Sequence, residues 1–298
     1  MTALQLTVGV VGLGLMGGSA AKALKEKTRH RVLAFDLDPD TLAKALREGS
    51  ADAILREPCG RRCPYSGGSL GDCDLLLVAL YPKAAADFVE SHGGELKKGA
   101  YVVDFCGVKR AVAEPMQRAA REYGFRYIGG HPMAGRERSG YNYAKASLFE
   151  GASMILVPRE ELAEEERAEL EGFFLELGFG GVKWSGAEEH DRIIAYTSQL
   201  AHVLSSAYIK SPTALSHQGF SAGSFQDMTR VARLNEAMWT ELFLHNGDYL
   251  AAEIEGLAER LTAYSRALRA GDGETLLRLL AEGRRCKETV EKGGIQHD

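Results

Sequence analysis

The sequence predicts an α/β fold in two parts, a doubly wound parallel sheet followed by an all-helical segment. Short apolar, β-branched runs alternate with helical segments from Leu6 to Trp184. This alternation is typical of a parallel sheet with helices on both faces. No strand pattern returns after Ser185, and the residues from Ser185 to Glu188 have the spacing of a helix-capping box. We therefore predict two domains, residues 1–185 and 186–298.

Composition narrows the class of protein. The chain has 298 residues, of which 45% are hydrophobic and 26% charged, and its formal net charge is −5. This balance excludes a broadly basic surface and hence nucleic acid as the main partner, but it leaves anionic small molecules possible. The sequence has no uncharged apolar stretch long enough to span a bilayer and no export pattern at its start. We expect a cytoplasmic protein with no membrane partner.

The cysteines are expected to be free thiols, because their number is odd and the chain lacks an export signal. They are Cys59, Cys63, Cys73, Cys106 and Cys286. The first three cluster in a Gly/Pro-rich stretch, which leaves part of a metal site as the alternative. Their spacing lacks a paired CxxC and no histidine lies nearby, so we predict no metal.

The first strand, Leu6 to Val11, leads into a GxGxxG sequence and then a helix, Ser19 to Lys27. In this pattern the first glycine permits a tight turn and the second lets the backbone approach a pyrophosphate. The third allows the helix to pack closely, with its N-terminal amides facing the phosphates. This context is that of a Rossmann-type dinucleotide-binding domain. The predicted cofactor contacts here are Gly12, Gly14, Leu15, Met16 and Gly17.

The second strand, Arg31 to Phe35, ends at Asp36, which lies 24 residues after Gly12. A carboxylate at this place accepts hydrogen bonds from a ribose diol. It also repels a 2′-phosphate, and the nearby Asp38 adds to that repulsion, so we predict NAD rather than NADP. Asp38 has a second interpretation as the cap of the helix that begins with Pro39.

Two more buried strands are predicted, Asp74 to Leu80 and Tyr101 to Phe105. Ligands bind at the carboxyl ends of strands in such sheets, so Leu80, Tyr81 and Lys109 should border the nicotinamide half of the site. For Lys109 the alternative is a solvated residue near a helix start, where a cation is poorly placed.

A brief strand, Arg126 to Ile128, leads into a glycine-rich loop that contains His131. Flanking glycines allow a ligand to approach closely, and the following proline stiffens the chain. Neutral imidazole can accept a hydroxyl proton near pH 7, so His131 is the predicted catalytic base of a dehydrogenase. The alternative is a merely solvated loop histidine.

Two further strands, Ala152 to Val157 and Val182 to Trp184, flank an acidic, solvated helix from Glu160 to Leu177. The helical part then begins at Ala187, and its first helix runs to about Lys210.

Polar side chains interrupt the apolar pattern of the helical part. Ser198 and His202 are four residues apart and so share a helix face; alone, His202 is more often a core or interface histidine than a ligand. Arg230 follows a Ser/Gly-rich stretch and could bind a carboxylate, or instead form a salt bridge with Asp227. The long helical region from Asn235 to Ala270 carries more apolar surface than so few helices can bury, which requires the first domain or another subunit.

Seven segments of the sequence carry a resemblance to a known family. They are GLGLMGGS at Gly12 to Ser19, VALYP at Val78 to Pro82, D-x-x-x-V-K at Asp104 to Lys109, GGHPMAG at Gly129 to Gly135, the pair His190-Asp191, TSQLAH at Thr197 to His202, and FQDMTR at Phe225 to Arg230 followed by Trp239. Together they resemble the prephenate/arogenate dehydrogenase family of tyrosine biosynthesis over nearly the whole chain. The resemblance implies NAD-dependent oxidative decarboxylation of prephenate to 4-hydroxyphenylpyruvate, or of arogenate to tyrosine. It implies that His131 accepts the ring hydroxyl proton and that Ser198, His202 and Arg230 bind substrate, Arg230 through a carboxylate. It further implies a helical dimerisation domain and hence a homodimer.

The sequence departs from the family pattern at two positions. Gly107 stands where many members have a serine that helps to orient the catalytic histidine. Gln199 stands where some have histidine, and as a neutral group able to hydrogen-bond a substrate side chain it favours prephenate over arogenate. We also expect that any feedback by tyrosine acts at the active site, because no regulatory α+β segment is evident. The alternatives are a β-hydroxyacid dehydrogenase of the 3-hydroxyisobutyrate type, whose catalytic lysine is not evident here, and a catalytically inactive NAD-binding module.

Overall fold

One sheet organises the N-terminal part of the chain in the computed structural model, which describes residues 5–56, 66–135 and 138–293. Within these residues the strands are β1 (Thr7–Val11), β2 (Arg31–Phe35), β3 (Ala53–Leu55), β4 (Ser66–Gly68), β5 (Leu75–Val78), β6 (Tyr101–Asp104), β7 (Arg126–Pro132), β8 (Ser153–Pro158) and β9 (Gly181–Trp184). Their order across the sheet is β4-β3-β2-β1-β5-β6-β7-β8-β9. From β1 the chain adds strands first to one side of the sheet and then, from β5 on, to the other, and the point between β1 and β5 is the switch point at which such sheets bind ligands.

The helices of the described residues are α1 (Leu15–Lys27), α2 (Pro39–Arg47), α3 (Pro82–His92), α4 (Arg110–Tyr123), α5 (Glu164–Glu176), α6 (Ala187–Ile194), α7 (Ala201–Tyr208), α8 (Gly223–Thr229), α9 (Glu236–His245), α10 (Gly247–Ala270) and α11 (Gly273–Glu291). A π-helical segment, Ala195–Leu200, joins α6 to α7. A 3-10 turn, Arg230–Ala232, follows α8 directly.

Two apolar cores lie on the two faces of the sheet, because successive strand residues point to opposite sides. Val8 and Val10 of β1 pack in one core with buried residues of α1, α2 and α5. Val11 packs in the other, together with residues of α3 and α4. Both faces of the sheet are thus covered by helices, which confirms the predicted doubly wound arrangement.

The last two strands run against the predicted direction. All neighbouring pairs from β4 to β7 are parallel, whereas β8 is antiparallel to β7 and β9 is parallel to β8. A parallel crossover needs a helix between strands, and the described residues between β7 and β8 contain only 3-10 turns, Tyr141–Tyr143 and Ala146–Phe149. The strand after β7 therefore returns along its neighbour.

Residue contacts divide the chain into a first unit, Met1–Gly247, and a second unit, Asp248–Asp298. Helices α6 to α9 therefore belong to the same unit as the sheet, and this division lies beyond the predicted boundary at residue 185. The second unit exposes large apolar side chains on α10 and α11, among them Leu268, Leu277, Leu280 and Val290. None of the described helices is long and apolar enough to cross a bilayer.

Three of the cysteines lie in the described part of the chain. Cys73 and Cys106 are buried, and Cys286 is exposed. Cys59 and Cys63, which with Cys73 suggested the alternative of a metal site, lie outside the described residues.

Candidate active site

The glycine-rich turn between β1 and α1 has the geometry that a bound nucleotide requires. Gly12 has a φ of +84°, and a Cβ there would lie 2.6 Å from the Ala79 carbonyl oxygen. A Cβ on Gly17 would lie 1.8 Å from the Gly12 carbonyl oxygen, so α1 starts directly against the turn. A Cβ on Gly14 would meet nothing within 4 Å. The fold itself requires the first and third glycines, whereas the second leaves open space at the amide end of α1, where Leu15 and Met16 form the first turn.

Asp36 lies at the end of β2, beside the glycine-rich turn. One carboxylate oxygen accepts a hydrogen bond from the Leu13 amide at 2.6 Å, and the other accepts one from the Asp38 amide at 2.9 Å. Asp38 caps α2, because its side chain accepts hydrogen bonds from the Asp40 amide and the Thr41 hydroxyl. The Thr41 bond, followed by the Asp40 bond, lowers the pKa of Asp38. The capping interpretation of Asp38 is confirmed, and the carboxylates of Asp36 and Asp38 both follow the end of β2.

The loops after β5 and β6 meet at the same edge of the sheet. Leu80 is half-buried and Tyr81, which precedes α3, is 48% exposed. The Cys106 thiol donates to the Leu80 carbonyl oxygen at 3.5 Å, so the two loops are in contact. Burial, followed by the nearby Asp104 carboxylate, raises the pKa of Cys106 well above its usual value, and the thiol stays protonated. Leu80 and Tyr81 remain predicted nicotinamide neighbours.

Lys109 is not the solvated residue that one interpretation of the sequence expects. Its side chain is 0% exposed. Its ammonium donates to Asp104 Oδ1 at 2.5 Å and to the Gly130 carbonyl oxygen at 2.6 Å. A buried ammonium needs such partners, and these join the start of α4 to β6 and β7. The contact of Lys109 with the cofactor stays a prediction, and the bonds to Asp104 and Gly130 give the side chain a structural role.

His131 lies in a strand rather than in the predicted loop. The antiparallel pairing with β8 continues β7 through Pro132, and His131 is opposite Ile155. Its ring is half-buried. A Cβ on Gly107 would lie 3.8 Å from His131 Nε2 and 3.5 Å from a methyl group of Leu242. The Nε2 edge of the ring therefore faces the loop after β6.

The other edge of the His131 ring contacts a buried histidine and aspartate. His131 Nδ1 lies 2.8 Å from His190 Nε2, and His190 Nδ1 lies 2.7 Å from Asp191 Oδ1. Both side chains of the His190-Asp191 pair are 0% exposed. The Asp191 carboxylate also accepts hydrogen bonds from the backbone amides of Lys109 at 2.8 Å and Arg110 at 2.9 Å. A residue pair on α6 thus reaches both the start of α4 and the predicted base on β7.

Burial and the neighbouring groups determine the protonation states of His131, His190 and Asp191. Burial, then the neighbouring His190 and the Lys109 ammonium, hold the pKa of His131 well below its usual value. Burial also lowers the pKa of His190, against the opposing effect of Asp191. Burial would raise the pKa of Asp191, but the hydrogen bonds from His190 and from the Arg110 and Lys109 amides outweigh it and the pKa is lowered. At neutral pH two uncharged imidazoles therefore stand in line with one carboxylate.

Gln199 does not have the substrate-facing position that the sequence suggested. It is 2% exposed. Its side-chain oxygen accepts a hydrogen bond from Asn246 at 2.8 Å, and its nitrogen donates to the Leu242 carbonyl oxygen at 3.1 Å. Asn246 also donates to the Asp191 carbonyl oxygen at 2.8 Å. Because Gln199 binds other parts of the protein, it carries no argument for prephenate over arogenate.

The predicted substrate residues lie on the helices next to this network. Ser198 is half-buried in the π-helical segment, and its carbonyl oxygen lies 2.8 Å from His202 Nδ1, as their spacing predicts. The His202 ring lies 3.9 Å from the Trp239 ring on α9. Arg230 is exposed and begins the 3-10 turn Arg230–Ala232, which packs on α7. The substrate roles of these three residues stay predictions.

A glycine-rich turn and an uncharged histidine at one edge of a doubly wound sheet define a nucleotide-dependent dehydrogenase. Residues 20–180 match the family model for the nucleotide-binding domain of prephenate dehydrogenase, and residues 186–282 match the model for its dimerization domain. The chain belongs to the prephenate dehydrogenase family, which confirms the resemblance drawn from the sequence motifs.

Individual relatives cover nearly the whole chain. The prephenate dehydrogenase of Lactococcus lactis is 25% identical over 96% of this chain and 78% of its own length. The cyclohexadienyl dehydrogenase of Zymomonas mobilis is 27% identical over 94% of each chain. Among solved structures, prephenate dehydrogenase from A. aeolicus in complex with hydroxyphenyl propionate and NAD+ has a TM-score of 0.80 at 24% identity, covering 97% of this chain and 99% of that one. The last match confirms the fold class.

Proposed function

We propose that the protein catalyses the NAD-dependent oxidative decarboxylation of prephenate to 4-hydroxyphenylpyruvate, in tyrosine biosynthesis. The observation that carries the proposal is the uncharged His131 near the carboxyl end of β7, the same edge of the sheet at which β1 leads into the nucleotide-binding turn, in a chain of the prephenate dehydrogenase family. Arogenate is the second candidate substrate, because one relative is a cyclohexadienyl dehydrogenase. The β-hydroxyacid dehydrogenase alternative lacks comparable support.

The residues of the glycine-rich turn fit a dinucleotide. The open space at Gly14 and the amide end of α1 suit the pyrophosphate, and Asp36 suits the adenosine ribose. When bound, NAD supplies the acceptor for the hydride that leaves the substrate ring.

His131 would act on the hydroxyl group of the same ring carbon. Its Nε2 accepts the hydroxyl proton while the hydride leaves, which is general-base catalysis by a neutral imidazole. Loss of carbon dioxide then aromatises the ring, and the imidazolium returns the proton to the phenolate oxygen. No net proton is consumed in this sequence of steps.

Binding of a doubly anionic substrate falls to the helices beside the strand edge. We assign one substrate carboxylate to Arg230, whose guanidinium can form two parallel hydrogen bonds. Ser198 and His202 would bind the remaining polar groups. We further propose a homodimer through the C-terminal helices, supported by the dimerization-domain match and by the exposed apolar side chains of α10 and α11.

The test is an assay of the purified protein with NAD or NADP and with prephenate, arogenate or a simple 3-hydroxy acid. Formation of reduced cofactor is followed by absorbance. We expect turnover of prephenate with NAD, and loss of that turnover in His131→Ala. Absence of turnover on both cyclohexadienyl substrates would reject the proposal, and binding of NAD without turnover would favour the inactive-module alternative.

A further inference from the structure

The polar chain Asp191–His190–His131 contains two imidazole rings, and each ring in its neutral form carries one proton on one of two nitrogens. Which nitrogen carries it decides whether His131 can accept a proton from a substrate. The hydrogen-bonding partners at the buried end of the chain determine that choice step by step.

The first step is the contact between Asp191 and His190. An ionised carboxylate accepts hydrogen bonds and donates none. Asp191 Oδ1 already accepts from the Lys109 amide, and Oδ2 accepts from the Arg110 amide. Its 2.7 Å contact with His190 Nδ1 is a hydrogen bond only if that nitrogen carries the proton. Neutral His190 then has an unprotonated Nε2, which can only accept.

The second step is the contact between the two rings. Because His190 Nε2 accepts, His131 Nδ1, 2.8 Å away, must donate. Neutral His131 is then unprotonated at Nε2, the nitrogen on the side of Gly107. Gly107 has no side chain that could hold the ring from that side, so the Nδ1 contact with His190 is what orients the ring.

We propose that His190 and Asp191 are positioning residues that hold His131 in its Nδ1–H tautomer and thereby keep Nε2 as the proton acceptor. This inference rests on the proposed function for the meaning of Nε2, but the tautomer itself does not depend on turnover. Protonation at Nε2 leaves the Nδ1–H bond to His190 in place, so the ring need not turn during the reaction.

The remaining charges around His131 are consistent with this arrangement. The Lys109 ammonium on the α4 side is paired with the Asp104 carboxylate on β6, and Asp191 faces His190 from α6. Burial with these neighbours lowers the pKa of His131. An uncharged ring with a defined tautomer is therefore the resting form at neutral pH.

The direct test is long-range 15N–1H correlation spectroscopy of the protein labelled with 15N-histidine, without substrate. Resonances of two of the eight histidines are assigned from the variants His131→Gln and His190→Gln. We expect Nδ1–H on both rings near neutral pH. A proton on Nε2 of His131 overturns the inference, whether or not the protein turns over prephenate. Absence of turnover together with Nδ1–H rings would instead reject the proposed function alone.

The kinetic test compares two replacements of His190. Glutamine keeps an acceptor oxygen for the His131 Nδ1–H, whereas phenylalanine removes it. We expect His190→Phe to lower kcat by about 10²- to 10⁴-fold and to shift the acid limb of the kcat profile, with KM little changed, and His190→Gln to recover part of the loss. Equal losses in both variants, or unchanged kcat in His190→Phe, would contradict the inference. His92→Gln, on α3, is the matched control.

Asp191→Asn tests whether Asp191 determines which ring nitrogens of His190 and His131 carry a proton. Asparagine presents either its oxygen or its NH2 group to His190 Nδ1. With the NH2 group there, both rings carry their proton on the other nitrogen, and we expect Nε2–H on His131 in the spectra together with a fall in kcat of up to about 10⁴-fold, as when the aspartate of a Ser-His-Asp triad becomes asparagine. With the oxygen there, we expect both the tautomers and kcat to stay close to those of the unchanged protein. A reversed tautomer with unchanged kcat would contradict the inference. Since Asp191 also binds the start of α4, this variant is examined for folding by circular dichroism, and the His190 variants decide the question if it does not fold.

Discussion

Replacing Lys109 with methionine isolates the energetic role of its buried ion pair. Methionine keeps most of the volume of the side chain but leaves the Asp104 carboxylate without the ammonium, in a site where both side chains are 0% exposed. Removing one partner of such a pair costs about 3–5 kcal/mol. Asp104 keeps hydrogen bonds from the Tyr127 hydroxyl and the Cys106 amide, both at 2.8 Å, which holds the cost near the lower value.

Loss of the ammonium donor to the Gly130 carbonyl adds about 1 kcal/mol, so we expect Lys109→Met to lose about 4 kcal/mol of the free energy of unfolding. That is a large fraction of the ~5–15 kcal/mol typical of a folded protein. Urea unfolding at neutral pH measures it, with the exposed Lys98→Met as the matched control. A loss below about 1 kcal/mol, the range of surface ion pairs, would refute the assignment of Lys109 as a structural residue.

Four further outcomes are expected. His131→Ala should lower kcat by about 10²- to 10⁴-fold with NAD affinity unchanged in a fluorescence titration, and unaltered kcat would remove it from the mechanism. Arg230→Gln should mainly raise KM for prephenate in steady-state assays; an unchanged KM would support the salt-bridge alternative. Gly14→Ala should fold normally but bind NAD more weakly by calorimetry, whereas Gly17→Ala should lower the melting temperature, because its Cβ would overlap the Gly12 carbonyl. Since burial depresses the pKa of His131, its neutral form stabilises the fold above the ordinary histidine pKa of ~6.5, and thermal melts should show stability falling as the pH drops below that value; a flat profile would contradict it.

The sheet was largely predictable because strand and helix periods and the glycine-rich turn are local signals. Strands β3 and β4 were missed, because each has three residues and β4 contains two glycines, too few side chains to show an alternation. The reversed direction of β8 was also missed. It depends on the lack of a crossover helix after β7, and apolar runs carry no sign of strand direction.

The role of a site residue was predictable where its side-chain type and its neighbours in the sequence indicate it. It was not predictable where the role depends on contacts with residues distant in the sequence. His131 was identified from its imidazole side chain and from the glycines on either side of it in the sequence. Its partner His190 lies 59 residues further along the chain, so spacing gave no role to the His190-Asp191 pair, although the pair stood out as a motif. Lys109 and Gln199 were given ligand-facing roles because a sequence does not show that a polar side chain has found buried partners.

The contact between His131 and His190 restricts which chimeras of this enzyme can keep a correctly oriented base. The base belongs to the sheet, but the groups that hold it belong to α6, on the other side of the junction between the two family matches. A chimera joining this sheet to the helical part of a relative would have to bring a histidine and an aspartate to the same two places. Recombination at residue 185 would therefore also change what holds the base in place.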